Sequence, residues 1–147
     1  MKEDIRVNRA KAAFENGFSC SQAVFAAFAV DLGLDRNSAL RLSQAMGGGM
    51  AHLGQTCGAV TGAFLALALK HGRDKAADLA SRDRTYELMQ RLAAEFAGAH
   101  GSLQCSALLG LDLGTAEGMA EARSRGLFQS RCARFVETAA RLVEELL

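Results

Sequence analysis

The sequence predicts an all-α fold, a single-domain, up-and-down-like bundle of about seven to eight helices. Three observations carry that reading. The 147 residues contain no proline and no convincing strand alternation. Apolar residues recur at three- and four-residue spacing, in segments that open at Ser, Thr or Asp and stop at Gly. Hydrophobic residues make up 50% of the chain and charged residues 22%, the balance of one globular domain rather than of a disordered chain. No linker, repeat or low-complexity tract divides residues 1–147.

The elements follow in order. Helix one runs over roughly 2–15, with Val7, Ala10 and Phe14 on one face, and stops at Gly17. Helix two starts near Ser19, turns Cys20, Val24, Ala27 and Phe28 inward, and stops at Gly33. Asp35 or Asn37 caps helix three, which ends in Gly47-Gly48-Gly49. After the loop Met50–Gln55, Thr56 caps helix four, which runs to His71-Gly72. Asp74 opens a long helix five, with Leu79, Tyr86, Met89, Ala93 and Phe96 at helical spacing and read as core. Ser102 caps a short helix six that reaches Leu109 before Gly110. Thr115 begins helix seven, which Gly126 stops. Ser130 begins helix eight, whose stripe is Cys132, Phe135, Val136, Ala139, Val143 and Leu146. Short loops between such helices describe a bundle.

Charge excludes some functions. Formal net charge is +1 and no run of Lys or Arg exceeds two residues, which argues against nucleic acid or a membrane surface as partner. The longest apolar run, Ala63 to Leu69, is too short to cross a bilayer, which takes about 20 residues. The opening Met-Lys-Glu-Asp-Ile carries acids and no apolar core, so it does not read as a signal peptide. Cytoplasmic residence is the expectation. In that reducing compartment four cysteines point to catalytic, redox-sensing or metal-binding work rather than static cross-links.

Their placement sharpens this. Cys20, Cys57, Cys105 and Cys132 are each expected in the first turn of a helix, one to three residues after a Ser or Thr cap. There the backbone N–H groups are unpaired and the dipole is positive, so a thiolate is stabilised. The four fall on helices two, four, six and eight, and alternate helices of an up-and-down bundle begin at the same end. The thiols are therefore expected to gather at one end, and Cys57, on the most apolar helix, to be the most reactive. Gly58 and Gly62, with Ala66 next, leave one face of helix four nearly bare and predict close helix packing, with Gly58 leaving room around the Cys57 sulfur. Gly47–Gly49 lacks the spaced lysine of a P-loop and follows a helix, which argues against a nucleotide.

These residues carry a resemblance. Cys20, the motif Cys57-Gly-Ala-Val-Thr-Gly62 (CGAxxG), Cys105 and Cys132 together resemble the redox-active family designated C_GCAxxG_C_C. Gly17-Phe-Ser-Cys-Ser-Gln-Ala23, Gly47-Gly-Gly-Met50 and Gly101-Ser-Leu-Gln-Cys-Ser-Ala-Leu-Leu-Gly110 agree with it, over roughly residues 10–147. The resemblance implies a small bacterial redox-active protein with four characteristic cysteines, often encoded near transporters.

Three readings follow, in order. The first is thiol/disulfide chemistry, a possible thiol-dependent oxidoreductase working with a redox partner or a small-molecule oxidant. With no CxxC, its disulfide must join two helices. The second is a thiolate-bound metal or iron–sulfur cluster held by Cys20, Cys57, Cys105 and Cys132, with His52 as an extra ligand. The separations of 37, 48 and 27 residues are atypical for such sites. The third is a non-enzymatic helical binding module. His52, five residues before Cys57, is a candidate base, and Arg131 a candidate support for the Cys132 thiolate. His71 and His100 read as C-terminal helix caps. A homodimer through exposed bundle faces is the expected assembly.

Overall fold

The computed structural model describes residues 2–147, and side chains from residue 5 onward. Among the described residues the chain is all-α: α1 (Lys2–Glu15), α2 (Cys20–Ala29), α3 (Arg36–Gln44), α4 (Gly58–His71), α5 (Leu79–His100), α6 (Cys105–Leu109), α7 (Ala116–Ser124) and α8 (Ala133–Leu146). A five-residue π-turn, Phe128–Cys132, leads into α8. None of these helices is long and apolar enough to cross a membrane.

Helix α2 sits at the centre and packs against α1, α3, α4 and α8. Its sequence after Cys20 is almost wholly apolar, so it is buried on nearly every side. Helices α4 and α8 pack on each other and both on α5, while α8 also closes against α1. The core is one continuous cluster in which Phe28, Leu67, Leu92, Phe96, Val136 and Val143 are fully buried. Burial of each such side chain stabilises the fold by about 1.5–3 kcal/mol. Arg6 grips Glu144 through two contacts of 2.5 and 2.7 Å, fastening α1 to α8.

Several helix ends differ from the sequence reading, for local reasons. Helix α2 ends at Ala29, and Gly33 (φ 91°) closes the following turn, where Leu34 N–H reaches Ala29 O at 2.9 Å. Asp35 caps α3. Asp78, not Asp74, caps α5, accepting from Ser81 N–H. The buried face of α5 is Thr85, Leu88, Leu92 and Phe96, about one residue round from the expected stripe. Tyr86 and Leu79 are consequently 54% and 50% exposed, so Tyr86 is not core. Cys57, not Thr56, is the N-cap of α4, and Gln104, not Ser102, that of α6. Both shifts have one cause, an isolated antiparallel bridge between Thr56 and Gln104 that takes up the backbone where those caps were expected. No Ser130 cap forms, because the chain is already helical from Leu127 through the π-turn.

Candidate functional site

Three local structures aim the cysteines. At α2, Ser19 and Gln22 form a capping box: Gln22 N–H donates to Ser19 Oγ at 3.3 Å and Ser19 N–H to Gln22 Oε1 at 3.0 Å. Gln22 Nε2 also donates to Leu40 O, tying this helix start to α3. Cys20 thus stands as the first helical residue, on the positive end of the dipole. At α4 and α6, the segments around Thr56 and Gln104 form a miniature ladder. Cys57 N–H donates to Leu103 O at 2.7 Å and Cys105 N–H to Gln55 O at 2.6 Å. The ladder holds the starts of α4 and α6 together. Cys132 closes the π-turn ahead of α8, a rare irregularity that is frequent at functional sites.

The loop after α3 completes the assembly. Gly48, Gly49, Met50, Ala51 and His52 all have left-handed φ, between 50° and 72°. For the three that are not glycine this costs about 1–2 kcal/mol each. Long-reach backbone bonds oppose the strain, among them Ala51 N–H to Ala45 O at 2.9 Å and Gln55 N–H to Gly49 O at 2.8 Å. The glycines here make room. A Cβ on Gly48 would lie 2.1 Å from the His52 ring, and one on Gly49 2.7 Å from Cys105 Cβ. Gly58 makes room for the Cys20 sulfur rather than that of Cys57, since its Cβ would stand 2.5 Å from Cys20 Sγ. The CGAxxG motif of one helix therefore shapes the surroundings of a thiol on another.

All four thiols line one cavity of about 440 Å³, as the shared helix starts predict. His52 lines it too. Cys57 and Cys105 are buried, while Cys20 and Cys132 are partly open to it, and all four are free thiols. Sequence reasoning missed the cavity and its Glu15, Phe14, Phe18 and Phe128, because α1 and the π-turn carry no cysteine-like signal on which to place a wall.

Electrostatics separate the thiols. Cys20 is brought down from 9.0 to about 7, chiefly by the Cys57 S–H; burial opposes this, and backbone N–H groups of Gly48, Ser21 and Cys20 add to the lowering. Cys57 is pushed well above its ordinary value by that same hydrogen bond, by burial and by repulsion from Cys20. The expectation that Cys57 is the most acidic thiol is therefore reversed. At its N-cap position Cys57 has only Ala59 N–H to favour ionisation, against the three backbone donors at Cys20. Burial pushes Cys105 up to about 12 and, with Cys20 and Cys105 nearby, raises Cys132 further. For these two the helix dipole loses to desolvation.

This split has a consequence for stability. A thiol lowered by folding stabilises the fold fully above its unfolded value and loses that contribution as pH falls through its folded value. Cys20 sets the window, from about 7 to 9. Toward its upper end the sign reverses, because three unfolded cysteines ionise while Cys57, Cys105 and Cys132 hold their protons. Urea unfolding of the reduced protein is expected to show stability rising by about 1 kcal/mol from pH 6.5 to about 8.5, then falling. Cys20→Ser should flatten the rise; an unchanged slope would remove the assignment.

The remaining candidates are structural. Arg131 donates to Leu108 O and Leu109 O at 3.3 Å, capping α6. His71 and His100 end α4 and α5, but burial lowers both pKa values, so neither serves as the cationic cap expected. His100 instead packs between Phe96 and Phe135 and meets Thr138 Oγ1 at 2.8 Å. Among the described residues no three of His, Cys, Asp and Glu stand together as a ligand set for a metal ion.

Comparison with known proteins gives one match. A family model described as "Putative redox-active protein (C_GCAxxG_C_C)" matches residues 18–146. No curated protein and no solved structure matches the chain.

Proposed function

This chain belongs to the C_GCAxxG_C_C family of redox-active proteins, and from that premise we propose that it performs thiol–disulfide exchange with Cys20 as nucleophile and Cys57 as resolving thiol. One observation carries the reading: Cys20, at the capped start of α2, and Cys57, at the start of α4, border one cavity, with Gly58 beside Cys57 leaving space for the Cys20 sulfur. At neutral pH a thiol of pKa about 7 is half ionised, against about 1% for one at 9.0. Lower basicity weakens the nucleophile by less than tenfold, since the Brønsted slope is about 0.4–0.5, so the gain in thiolate wins.

The chemistry runs in two steps. The Cys20 thiolate attacks one sulfur of a disulfide, and the other sulfur leaves as a thiolate. Capping Cys20 abolishes its charge, and with it the hydrogen bond and repulsion that held the Cys57 proton. Cys57 then gives its proton to the departed thiolate and attacks Cys20 Sγ, expelling the second product thiolate. Two protein thiols are oxidised to a Cys20–Cys57 disulfide and the substrate disulfide is reduced to two thiols. The raised values at Cys105 and Cys132 bar them from the first attack. Such a pair suits a reducing compartment, the cytoplasm, which returns it to the dithiol state.

The test is alkylation of each cysteine against pH, read by peptide mass spectrometry under anaerobic, metal-free conditions. Cys20 is expected to label first, with a midpoint near 7, and mild oxidation to link Cys20 to Cys57. A midpoint for Cys20 near 9, or oxidation that joins other cysteines first, would overturn the reading. The second reading is a metal or iron–sulfur site: four soft ligands border one cavity, but no three of them stand together as a ligand set among the described residues, which ranks it below exchange. Stoichiometric iron or zinc in anaerobically purified protein would put that reading first.

A further inference from the structure

Resting on the exchange reading, we infer that the cavity selects a small, uncharged and largely apolar disulfide, and turns away both anionic disulfides and the disulfides of folded proteins. Size is the first argument. The thiols face about 440 Å³, within the roughly 300–1,000 Å³ of small-molecule pockets. Cys57, the resolving thiol, is only 4% exposed. A disulfide carried on folded backbone would have to bring that backbone inside, where a helix alone is about 10 Å across.

Lining is the second argument. Phe14, Phe18, Leu108, Leu113, Phe128 and Phe135 contribute much of the wall, a surface for aromatic or branched aliphatic groups. Charge is the third. The lining contains one formally charged side chain, Glu15, and neither Lys nor Arg. Nearby cations are held outside it: Arg131 on the α6 carbonyls, Arg36 over the Phe18 ring at 5.5 Å, and Lys11 and Arg134 along a separate smaller pocket behind Phe14, Glu15 and Ala133. A substrate carboxylate would therefore meet no Lys or Arg in the cavity's own lining, stand beside Glu15 and the Cys20 thiolate, and lose its hydration. Glutathione disulfide, with its four carboxylates, is the wrong chemistry for such a wall.

The step balances without a further reactant. In one turnover the neutral disulfide RSSR and two protein thiols give two RSH and the Cys20–Cys57 disulfide. The test is single-turnover kinetics of the fully reduced chain with 4,4′-dithiodipyridine (neutral, aromatic), glutathione disulfide, insulin and the very small methyl methanethiolsulfonate. Each rate is divided by that of the same reagent with the urea-unfolded chain, which cancels intrinsic reactivity. The normalised rate for dithiodipyridine is expected to exceed those for glutathione disulfide and insulin by at least about tenfold. Ala133→Phe narrows the cavity from α8, and should cut the dithiodipyridine rate about tenfold while leaving methyl methanethiolsulfonate within about threefold. Phe128→Trp is the substitute should Ala133→Phe not fold.

Equal normalised rates, or faster glutathione disulfide or insulin, would overturn the selectivity while leaving Cys20 as nucleophile. A Cys20 inert to methyl methanethiolsulfonate would instead sink the exchange reading. Binding is then read separately, from methyl NMR shifts of Leu108 and Leu113 as dithiodipyridine is added to Cys20→Ser. Saturable shifts that Ala133→Phe abolishes keep the apolar site; absent shifts remove it.

Discussion

Cys20→Ser is expected to lower the rate of disulfide exchange by at least about a thousandfold, because a serine hydroxyl at neutral pH supplies no comparable nucleophile. Cys57→Ala should behave differently, and the contrast is the stronger test. It leaves the attacking sulfur but removes the resolving one, so a mixed disulfide at Cys20 should accumulate stoichiometrically. It also deletes the largest cause of the low Cys20 pKa, the Cys57 S–H. The labelling midpoint of Cys20 should then climb from about 7 toward 9.0. Stopped-flow release of product thiol and intact-mass analysis of the trapped adduct read both effects. If Cys57→Ala turns over as the parent does, Cys57 is not the resolving thiol.

The architecture was legible because helices announce themselves locally. Ser19, Asp35 and Thr115 cap the helices they were expected to cap, and the stripe from Phe135 to Leu146 is buried as its spacing predicts. The gathering of thiols at helix starts followed from the same logic and holds for Cys20, Cys57 and Cys105. Cys132 reaches the cavity from a π-turn, which leaves no pattern in sequence. The order of acidity was not legible, because it depends on contacts between segments far apart. Cys20 and Cys57 are separated by 37 residues, and the Gly48 and Ser21 N–H groups that favour the Cys20 thiolate come together with it only in the fold. The left-handed turn at 48–52 was hidden as well. Three glycines suggested a helix stop, but Met50, Ala51 and His52 are held left-handed by bonds reaching back to residues 45–50.

The glycines of the motif offer the second large effect. Gly62 lets α4 lie against the backbone of α2: a Cβ there would stand 2.6 Å from Ser21 O and 3.0 Å from Ser21 Cα. Neither atom belongs to a side chain that can swing aside, so the helices must separate. Alanine is favoured over glycine inside a helix by about 1 kcal/mol. Overpacking against fixed backbone costs about 1–3 kcal/mol or more, and here, between two central helices, the upper end applies. Gly62→Ala is therefore expected to destabilise the protein by about 2 kcal/mol net, a large share of the 5–15 kcal/mol typical of a domain. Gly58→Ala presses mainly on a sulfur, 2.5 Å from Cys20 Sγ, with Met46 O at 3.0 Å. It should loosen the Cys20–Cys57 pair and raise the Cys20 labelling midpoint by about one unit. Paired measurements on the two variants, urea midpoint and pH-resolved alkylation, separate the roles. Gly62→Ala should lose stability with the Cys20 midpoint kept in the folded fraction, and Gly58→Ala should move that midpoint at a smaller cost in stability. A Gly62→Ala protein as stable as its parent would mean that α2 and α4 are not locked at that contact.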